Sequence, residues 1–368
     1  MKKIAAFFCV LAIIIVGLAI TYYFLKEKGK VQPVTVTVAP AKKVSSDQFA
    51  WGVFTNPYVF NIPKQGFVKE NVDKQIPIWK DLGINTIRFN YEFGPADPKI
   101  ILPENDYFVN KMIANNIAPY MVIESPYIPG EFIEKSTQQD GYDWGKFIAG
   151  HFKGRVKYYQ LLNEVDGTAI KKDYPGFNPD DYDETKYQAV KNFLLGLSKA
   201  IKETDPAAQR VVNSHWVGTA MIDRLMKDGV DFEIIGWDWF SDMGTDMTAV
   251  KPIPSKQINI IDYFKNSGKK FWISELNKQD GTMGNKEADQ ASFFEQTIQN
   301  AQKSGRLSGV FIFPLFDTTA FDNGKETTTN TWGLVQNVQT TQNIWGPGKK
   351  KKAYNTYKDL IARFLAGI

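Results

Sequence analysis

From Phe49 onward, short β-rich runs alternate with helix-length segments eight times, and nothing else in the chain limits its fold so strongly. Strands are predicted at Ala50–Phe54, Thr86–Asn90, Ala118–Ile123, Lys157–Leu162, Arg210–Ser214, Glu233–Trp237, Phe271–Ser274 and Gly309–Phe313. Helices are predicted at Lys69–Leu82, Asn105–Asn115, Tyr142–His151, Glu184–Glu203, Thr219–Lys227, Ser255–Asn266, Glu287–Lys303 and Lys352–Leu365. Gly or Asn follows the last apolar position of several helices, as in Leu82-Gly83, Asn266-Ser267-Gly268 and Ser304-Gly305, where a left-handed cap ends the helix. The strands are near-continuously apolar, as parallel strands covered on both faces are. Alternation of this kind implies βαβ units, and eight of them close a (β/α)8 TIM barrel. An open nucleotide-binding sheet would carry a Gly-rich turn after its first strand, whereas Trp51-Gly52-Val53-Phe54 runs into Thr55-Asn56-Pro57. Gly346-Pro347-Gly348-Lys349 lacks phosphate-loop spacing and reads as a solvated basic turn.

Ile4 to Leu25 is an uncharged run of 22 residues. At about 1.5 Å per residue, a helix of that length crosses a hydrocarbon core of about 30 Å. No small-residue cleavage site follows it, and Tyr22, Tyr23 and Phe24 suit an interfacial aromatic belt. The expected organisation is therefore a cytoplasmic n-region at 1–3, a transmembrane anchor or signal segment at 4–25, a linker at 26–47 and the barrel at 48–368. The barrel would lie outside the cytoplasm on a membrane anchor, or be secreted if the segment is cleaved.

Charge supports this division. Of 44 Lys+Arg and 40 Asp+Glu, five and one fall within residues 1–30, which leaves 39 of each sign in the remainder. A balanced body offers no concentrated basic face, so no nucleic acid is expected as a partner. With 43% hydrophobic residues the chain can fill a large core. The single cysteine, Cys9, lies in the apolar run, so a disulfide scaffold, thiolate metal sites and a catalytic thiol in the body are excluded. Only His151 and His215 supply imidazoles, too few for a barrel metal centre, and neither metal nor organic cofactor is expected.

A barrel of this type presents its chemistry at the C-terminal ends of its strands. The fourth predicted strand ends in Gln160-Leu161-Leu162-Asn163-Glu164, and the seventh in Trp272-Ile273-Ser274-Glu275. Two carboxyls on facing strand ends are what cleavage of a glycosidic bond requires: one stays protonated and donates to the leaving oxygen, the other attacks the sugar carbon or activates water. Placed together they raise one another, because like charges disfavour double ionisation.

The pairing of Leu-Asn163-Glu164 with Trp-Ile-Ser-Glu275 resembles glycoside hydrolase clan A, the retaining (β/α)8 enzymes that include cellulase-like, β-xylosidase-like and arabinogalactanase-like families. The stretch Gly83-Ile84-Asn85-Thr86-Ile87-Arg88, and the tail Phe313-Pro314-Leu315-Phe316-Asp317, Trp332-Gly333-Leu334-Val335 and Lys352-Ala353-Tyr354, are similar to the clan's pattern as well. The resemblance implies Glu164 as general acid/base, Glu275 as nucleophile, Asn163 on the sugar 2-hydroxyl and Arg88 beside the nucleophile. It also implies a covalent glycosyl-enzyme and carboxyls about 5–5.5 Å apart. The chain departs from the pattern at strand six, where Gly236-Trp237-Asp238-Trp239-Phe240 replaces a Tyr near the nucleophile. At strand eight Phe313 or Phe316 stands for a Trp, and at strand three Glu124-Ser125-Pro126-Tyr127 replaces a His.

Beyond the two glutamates, His215 after strand five is expected to face the cleft, and Trp239, Trp237, Tyr127 and Phe316 are candidates to stack on sugar rings. Glu124 is the reserve carboxyl, and Asp238, Asp242 and Asp317 are candidate hydroxyl binders. His151, at a helix end, is expected to be structural. The expected function is that of a retaining glycosidase with a monomeric catalytic domain, acting on a β-linked polysaccharide or oligosaccharide. The alternative is a glycan-binding barrel that does not cut.

Overall fold

The computed structural model describes residues 49–63, 65–94, 97–127, 131–132, 136–253 and 255–367. The expected n-region, membrane segment and linker lie outside these residues, and among the described residues no helix is long and apolar enough to cross a membrane.

Eight parallel strands close into a barrel in sequential order. They are β1 (Ala50–Phe54), β2 (Thr86–Asn90), β3 (Ala118–Ile123), β4 (Tyr158–Leu161), β5 (Gln209–His215), β6 (Ile234–Phe240), β7 (Lys270–Asn277) and β8 (Leu307–Ile312). The ring closes where β1 pairs with β8, Trp51 opposite Val310. The helices of the described chain are α1 (Lys69–Asp73), α2 (Ile76–Leu82), α3 (Pro103–Ala114), α4 (Gln138–Phe152), α5 (Val165–Ala169), α6 (Glu184–Thr204), α7 (Thr219–Lys227), α8 (Ile260–Tyr263), α9 (Glu287–Gln302) and α10 (Lys352–Ala366).

Three expectations change. The single helix predicted over 69–82 is split into α1 and α2, because Pro77 in the first turn of α2 has no N–H to continue the ladder and its ring crowds the carbonyl a turn earlier. The sixth predicted helix shrinks to α8, whose start is fixed by the Asn259 side chain accepting from the Asp262 N–H. The chain before it forms a small hairpin of Val250–Ile253 and Lys256–Ile258. The Gly346–Lys349 stretch is no turn but part of the strand Ile344–Lys350, paired with Val335–Thr341. Lys349 pairs with Glu287 and Lys350 with Asp81.

Alternation along each strand divides the core in two. One buried cluster fills the space between barrel and helices, while Ala50, Ala118, Tyr120, Tyr158, Val211, Ile234, Trp272 and Phe311 fill the barrel itself. Glycines make room for the large rings: a Cβ at Gly52 would lie 2.4 Å from the Phe311 ring, and one at Gly309 would lie 2.8 Å from Trp272. Further along the strands the inward layer turns polar, with Arg88, Gln160, Asn213 and Asp238, all buried. That change of character lies toward the C-terminal ends of the strands, where barrels of this type carry their sites.

Candidate active site

Glu275 lies inside β7, not after it. Pairing of β7 with β6 slips between Ile273, opposite Trp237, and Glu275, opposite Asp238. The extra residue is a bulge that re-aims side chains. Ser274 and Glu275 consequently both reach inward: Ser274 Oγ donates to Asp238 Oδ1 at 2.6 Å, and Glu275 Oε1 accepts from Arg88 Nη1 at 2.5 Å. Arg88 also donates to Asn163 Oδ1 (2.7 Å, from Nη2) and Gln160 Oε1 (3.0 Å, from Nε). Burial raises the Glu275 carboxyl, and the guanidinium opposes that rise.

The chain leaves β4 through two left-handed residues, Leu162 (φ 65°) and Glu164 (φ 41°). Such backbone costs roughly 1–3 kcal/mol per residue and persists only where its surroundings hold it. Gln160 Nε2 donates to the Leu162 carbonyl at 3.0 Å, and the Glu164 N–H donates to Asn213 Oδ1 at 2.8 Å. Asn163 Oδ1 receives three donors: Arg88 Nη2, Gln160 Nε2 at 2.8 Å and Asn213 Nδ2 at 3.0 Å. With its oxygen so occupied, Asn163 keeps its Nδ2 end for a ligand.

Glu164 is partly exposed, and burial with the nearby Asp166 charge raises its carboxyl while His215 and Arg88 oppose. His215 Nδ1 stands 3.0 Å from Asp166 Oδ2. Burial works against the imidazolium, but the Asp166 carboxylate outweighs it and pushes the His215 pKa up to about 9. Glu124 joins the same field: burial and the charge of Glu164 raise it, and its own charge in turn raises Glu275. The arrangement therefore holds one carboxyl against a cation fork, at Glu275. A second, Glu164, has no ion pair among the described residues and is poised to carry a proton.

The aromatic expectations need correction. Trp237 and Trp239 are fully covered and offer no face to a ligand, and Phe316, also buried, lies in the lining of a cavity beside Phe313. β6 runs on to Phe240, so alternation sends Asp238 inward and both tryptophans outward. Trp237 Nε1 donates to the Trp216 carbonyl, and Trp239 Nε1 to the Gly244 carbonyl. Tyr127 is partly buried, with its hydroxyl toward Asp140 at the start of α4. Asp317 is engaged by Lys351 at 2.7 Å. His151 pairs with Asp106 at 2.9 Å, away from the strand ends.

Other residues were not singled out by sequence. Gln160 and Asn213 could have been found from Arg88, since strand alternation places all three in one inward layer. Asp166, in the first turn of α5, carried no such signal. Trp332 is partly exposed and joins an aromatic wall: Phe240 lies 5.6 Å from it, Phe313 lies 6.0 Å away, and Phe54 lies 4.8 Å from Phe313. Phe54, Phe313, Trp332, Thr55, Asn56 and Asn330 line part of a cavity of about 210 Å³, and Arg88 sits over the Phe54 ring.

Among the described residues, no group of three or more His, Cys, Asp or Glu side chains is arranged to hold a metal ion. No family model matches the chain, and no curated protein matches it. Among solved structures the chain is similar to a family 1 β-glucosidase from Thermotoga maritima, at 14% identity and a TM-score of 0.59, over 88% of this chain and 99% of that one. A β-glucosidase from the same organism in complex with cyclophellitol matches at 14% identity and a TM-score of 0.58, over 87% and 99%. What the likeness shows is a shared fold: this chain folds as those β-glucosidases do, into a closed (β/α)8 barrel.

Proposed function

We propose that this chain is a glycosidase of the clan A type, hydrolysing a β-linked oligosaccharide or polysaccharide with retention. The observation that carries the reading is the unequal treatment of two strand-end glutamates. Burial raises both carboxyls, but Glu275 is held in a 2.5 Å ion pair with Arg88, as a nucleophile needs, while Glu164 has no ion pair among the described residues and is raised further by Asp166, as a general acid needs. The Glu275 carboxylate attacks the anomeric carbon as the Glu164 proton passes to the departing glycosidic oxygen. Glu164 then takes a proton from water, whose oxygen displaces Glu275 and regenerates both carboxyls. Asn163 Nδ2 supplies a donor for a sugar hydroxyl, and the wall of Phe54, Phe313 and Trp332 suits the apolar C–H face of a sugar ring. The fold shared with β-glucosidases supports the reading.

The proposal extends to location, with residues 4–25 holding a monomeric barrel at a membrane, outside the cytoplasm, or directing its secretion. Extraction of the full chain from cell membranes by detergent but not by salt checks the anchor.

The decisive experiment treats residues 48–368 with a panel of β-linked aryl glycosides and glucan, xylan, mannan and galactan polymers. Glu164→Gln and Glu275→Gln should each lower turnover by at least about 10³-fold without loss of fold, and a slow 2-fluoro glycoside should label Glu275. Full activity in either variant, or labelling elsewhere, removes the mechanism. Glycan retained but never cut would favour the binding-only barrel.

A further inference from the structure

Asp238 stands at the centre of the polar layer yet reaches no solvent. Its Oδ1 accepts from Ser274 Oγ at 2.6 Å and its Oδ2 from Asn213 Nδ2 at 2.7 Å. Both oxygens are engaged by the protein and both are covered, so Asp238 does not touch a substrate.

Its effect passes through Asn213. An Asn amide has two ends of nearly equal shape and opposite chemistry, so only its partners decide which way it faces. Here Nδ2 donates to Asp238 and to Asn163 Oδ1, while Oδ1 accepts from the Glu164 N–H. Reversed, the amide would aim its N–H groups at the Glu164 N–H and its oxygen at two acceptors. Of the two acceptors on the Nδ2 side, Asn163 Oδ1 already receives Arg88 and Gln160. Burial and the Glu275 charge push the Asp238 carboxyl well above its usual range, yet its Oδ2 accepts from Asn213 alone and is the less divided partner.

We propose that Asp238 is a positioning residue for the acid/base half of the site: by fixing the sense of the Asn213 amide, it holds Glu164 in its left-handed backbone (φ 41°, ψ 58°) and Asn163 beside it. Ser274, thrown inward by the β7 bulge, anchors the same carboxylate to the strand that carries Glu275. One buried acid thereby ties the two halves of the constellation. The inference rests on the glycosidase reading for its kinetic consequence, but not for its structural one.

An asparagine at this position can present its oxygen to Asn213 and its NH2 to Ser274 Oγ, which then accepts. Asp238→Asn should thus keep the Asn213 amide in place, and Asp238→Ala should release it. Expected for Asp238→Ala is a fall in kcat of about 100-fold with KM within about threefold, the scale of a misplacement near 1 Å. Asp238→Asn should recover to within about fivefold of the wild type. Asn213→Ala should match Asp238→Ala, and the double Asp238→Ala/Asn213→Ala variant should cost no more than either single variant, because one residue acts through the other. Equal damage in Asp238→Asn and Asp238→Ala, wild-type kcat in Asp238→Ala, or additive losses in the double variant would overturn the proposal. Should Asp238→Ala not fold, the Asn variants alone still decide it. A wild type that cuts no glycoside removes the functional reading instead. A crystal structure of Asp238→Ala or Asn213→Ala then tests the positioning directly, and a Glu164 φ unchanged from the wild type overturns it.

Discussion

Arg88 Nη1 lies 2.5 Å from Glu275 Oε1, and the two side chains are 1% and 8% exposed. The pair is therefore an ion pair in the interior, where removal of one partner leaves a charge that neither water nor a neighbour compensates. The same guanidinium binds Asn163 and Gln160, so it ties Glu275 to the strand that leads to Glu164.

Substituting Arg88 separates charge from geometry. Arg88→Met should raise the Glu275 carboxyl further, cost about 3–5 kcal/mol of stability, and abolish turnover at neutral pH. Arg88→Lys retains a cation but loses the planar fork whose three nitrogens reach Glu275, Asn163 and Gln160 separately, so it should keep more stability than Arg88→Met and still lose most activity. Urea unfolding beside kcat/KM measurements checks both outcomes. Equal stability in all three proteins would show that the pair does not hold the site.

His215 offers a test by pH. Its folded pKa is pushed up to about 9, against roughly 6.5 in an unfolded chain. A group raised on folding stabilises fully below its unfolded pKa, and that stability is lost as pH rises through the folded value. The contribution should thus be present below about pH 6.5 and vanish as pH passes about 9. Asp166→Asn removes the opposing charge and should bring the imidazole pKa down, as a ring-proton NMR titration would read. His215→Gln removes a cation that lowers Glu164, so the alkaline limb of kcat/KM should move to higher pH. A limb that moves lower would contradict the assignment of Glu164 as the acid.

Much of this architecture was legible in the chain because its causes are local. Eight apolar runs between helix-length segments dictate a barrel, and the barrel rule places Asn163-Glu164 and Ser274-Glu275 at the C-terminal ends of its strands. The orientation of side chains around them was not legible. Ending strand six at Trp237 left Trp239 free to line a cleft, but pairing with β7 carries β6 three residues further and turns both tryptophans outward. The β7 bulge, which lets Ser274 and Glu275 both face inward, depends on the neighbouring strand and leaves no mark in the local pattern. Phe316 is covered by tertiary packing against Phe60, 4.8 Å away, from a part of the chain far removed in sequence.

Trp332 should act on binding more than on chemistry. It lies partly exposed beside Phe313 and Phe240, and its indole Nε1 donates to the Gln279 carbonyl at 3.0 Å, while its backbone carbonyl accepts from Asn277 and Gln290. Trp332→Ala should raise KM by roughly 2- to 12-fold, the equivalent of about 0.5–1.5 kcal/mol for an aromatic contact. kcat should change less. Trp239→Ala, by contrast, should act through stability, because that ring is wholly in the core. Steady-state kinetics on a soluble aryl glycoside, read beside thermal melting, separates the two tryptophans.

The rim above the site depends on a second buried ion pair. Lys351 Nζ donates to Asp317 Oδ1 at 2.7 Å, to Thr282 Oγ1 at 2.7 Å and to the Thr331 carbonyl at 2.9 Å. Those acceptors come from the chain after β7 and from two points after β8, and Lys351 itself caps α10. All three donors of the ammonium are used, and Asp317 accepts a further bond from the Gly333 N–H at 2.8 Å. Such a pair resists removal of one partner far more than replacement of both. Lys351→Met should cost about 3–5 kcal/mol, by leaving Asp317 buried and unpaired, whereas Lys351→Met/Asp317→Leu should recover much of that loss. Recovery of stability need not restore activity. The double variant loses the polar links from Lys351 to Thr282 and Thr331, which fix the loop that carries Trp332. Its KM should therefore stay raised while its unfolding midpoint returns toward the wild type. If KM and midpoint recover together, Lys351 holds the fold but not the shape of the cleft.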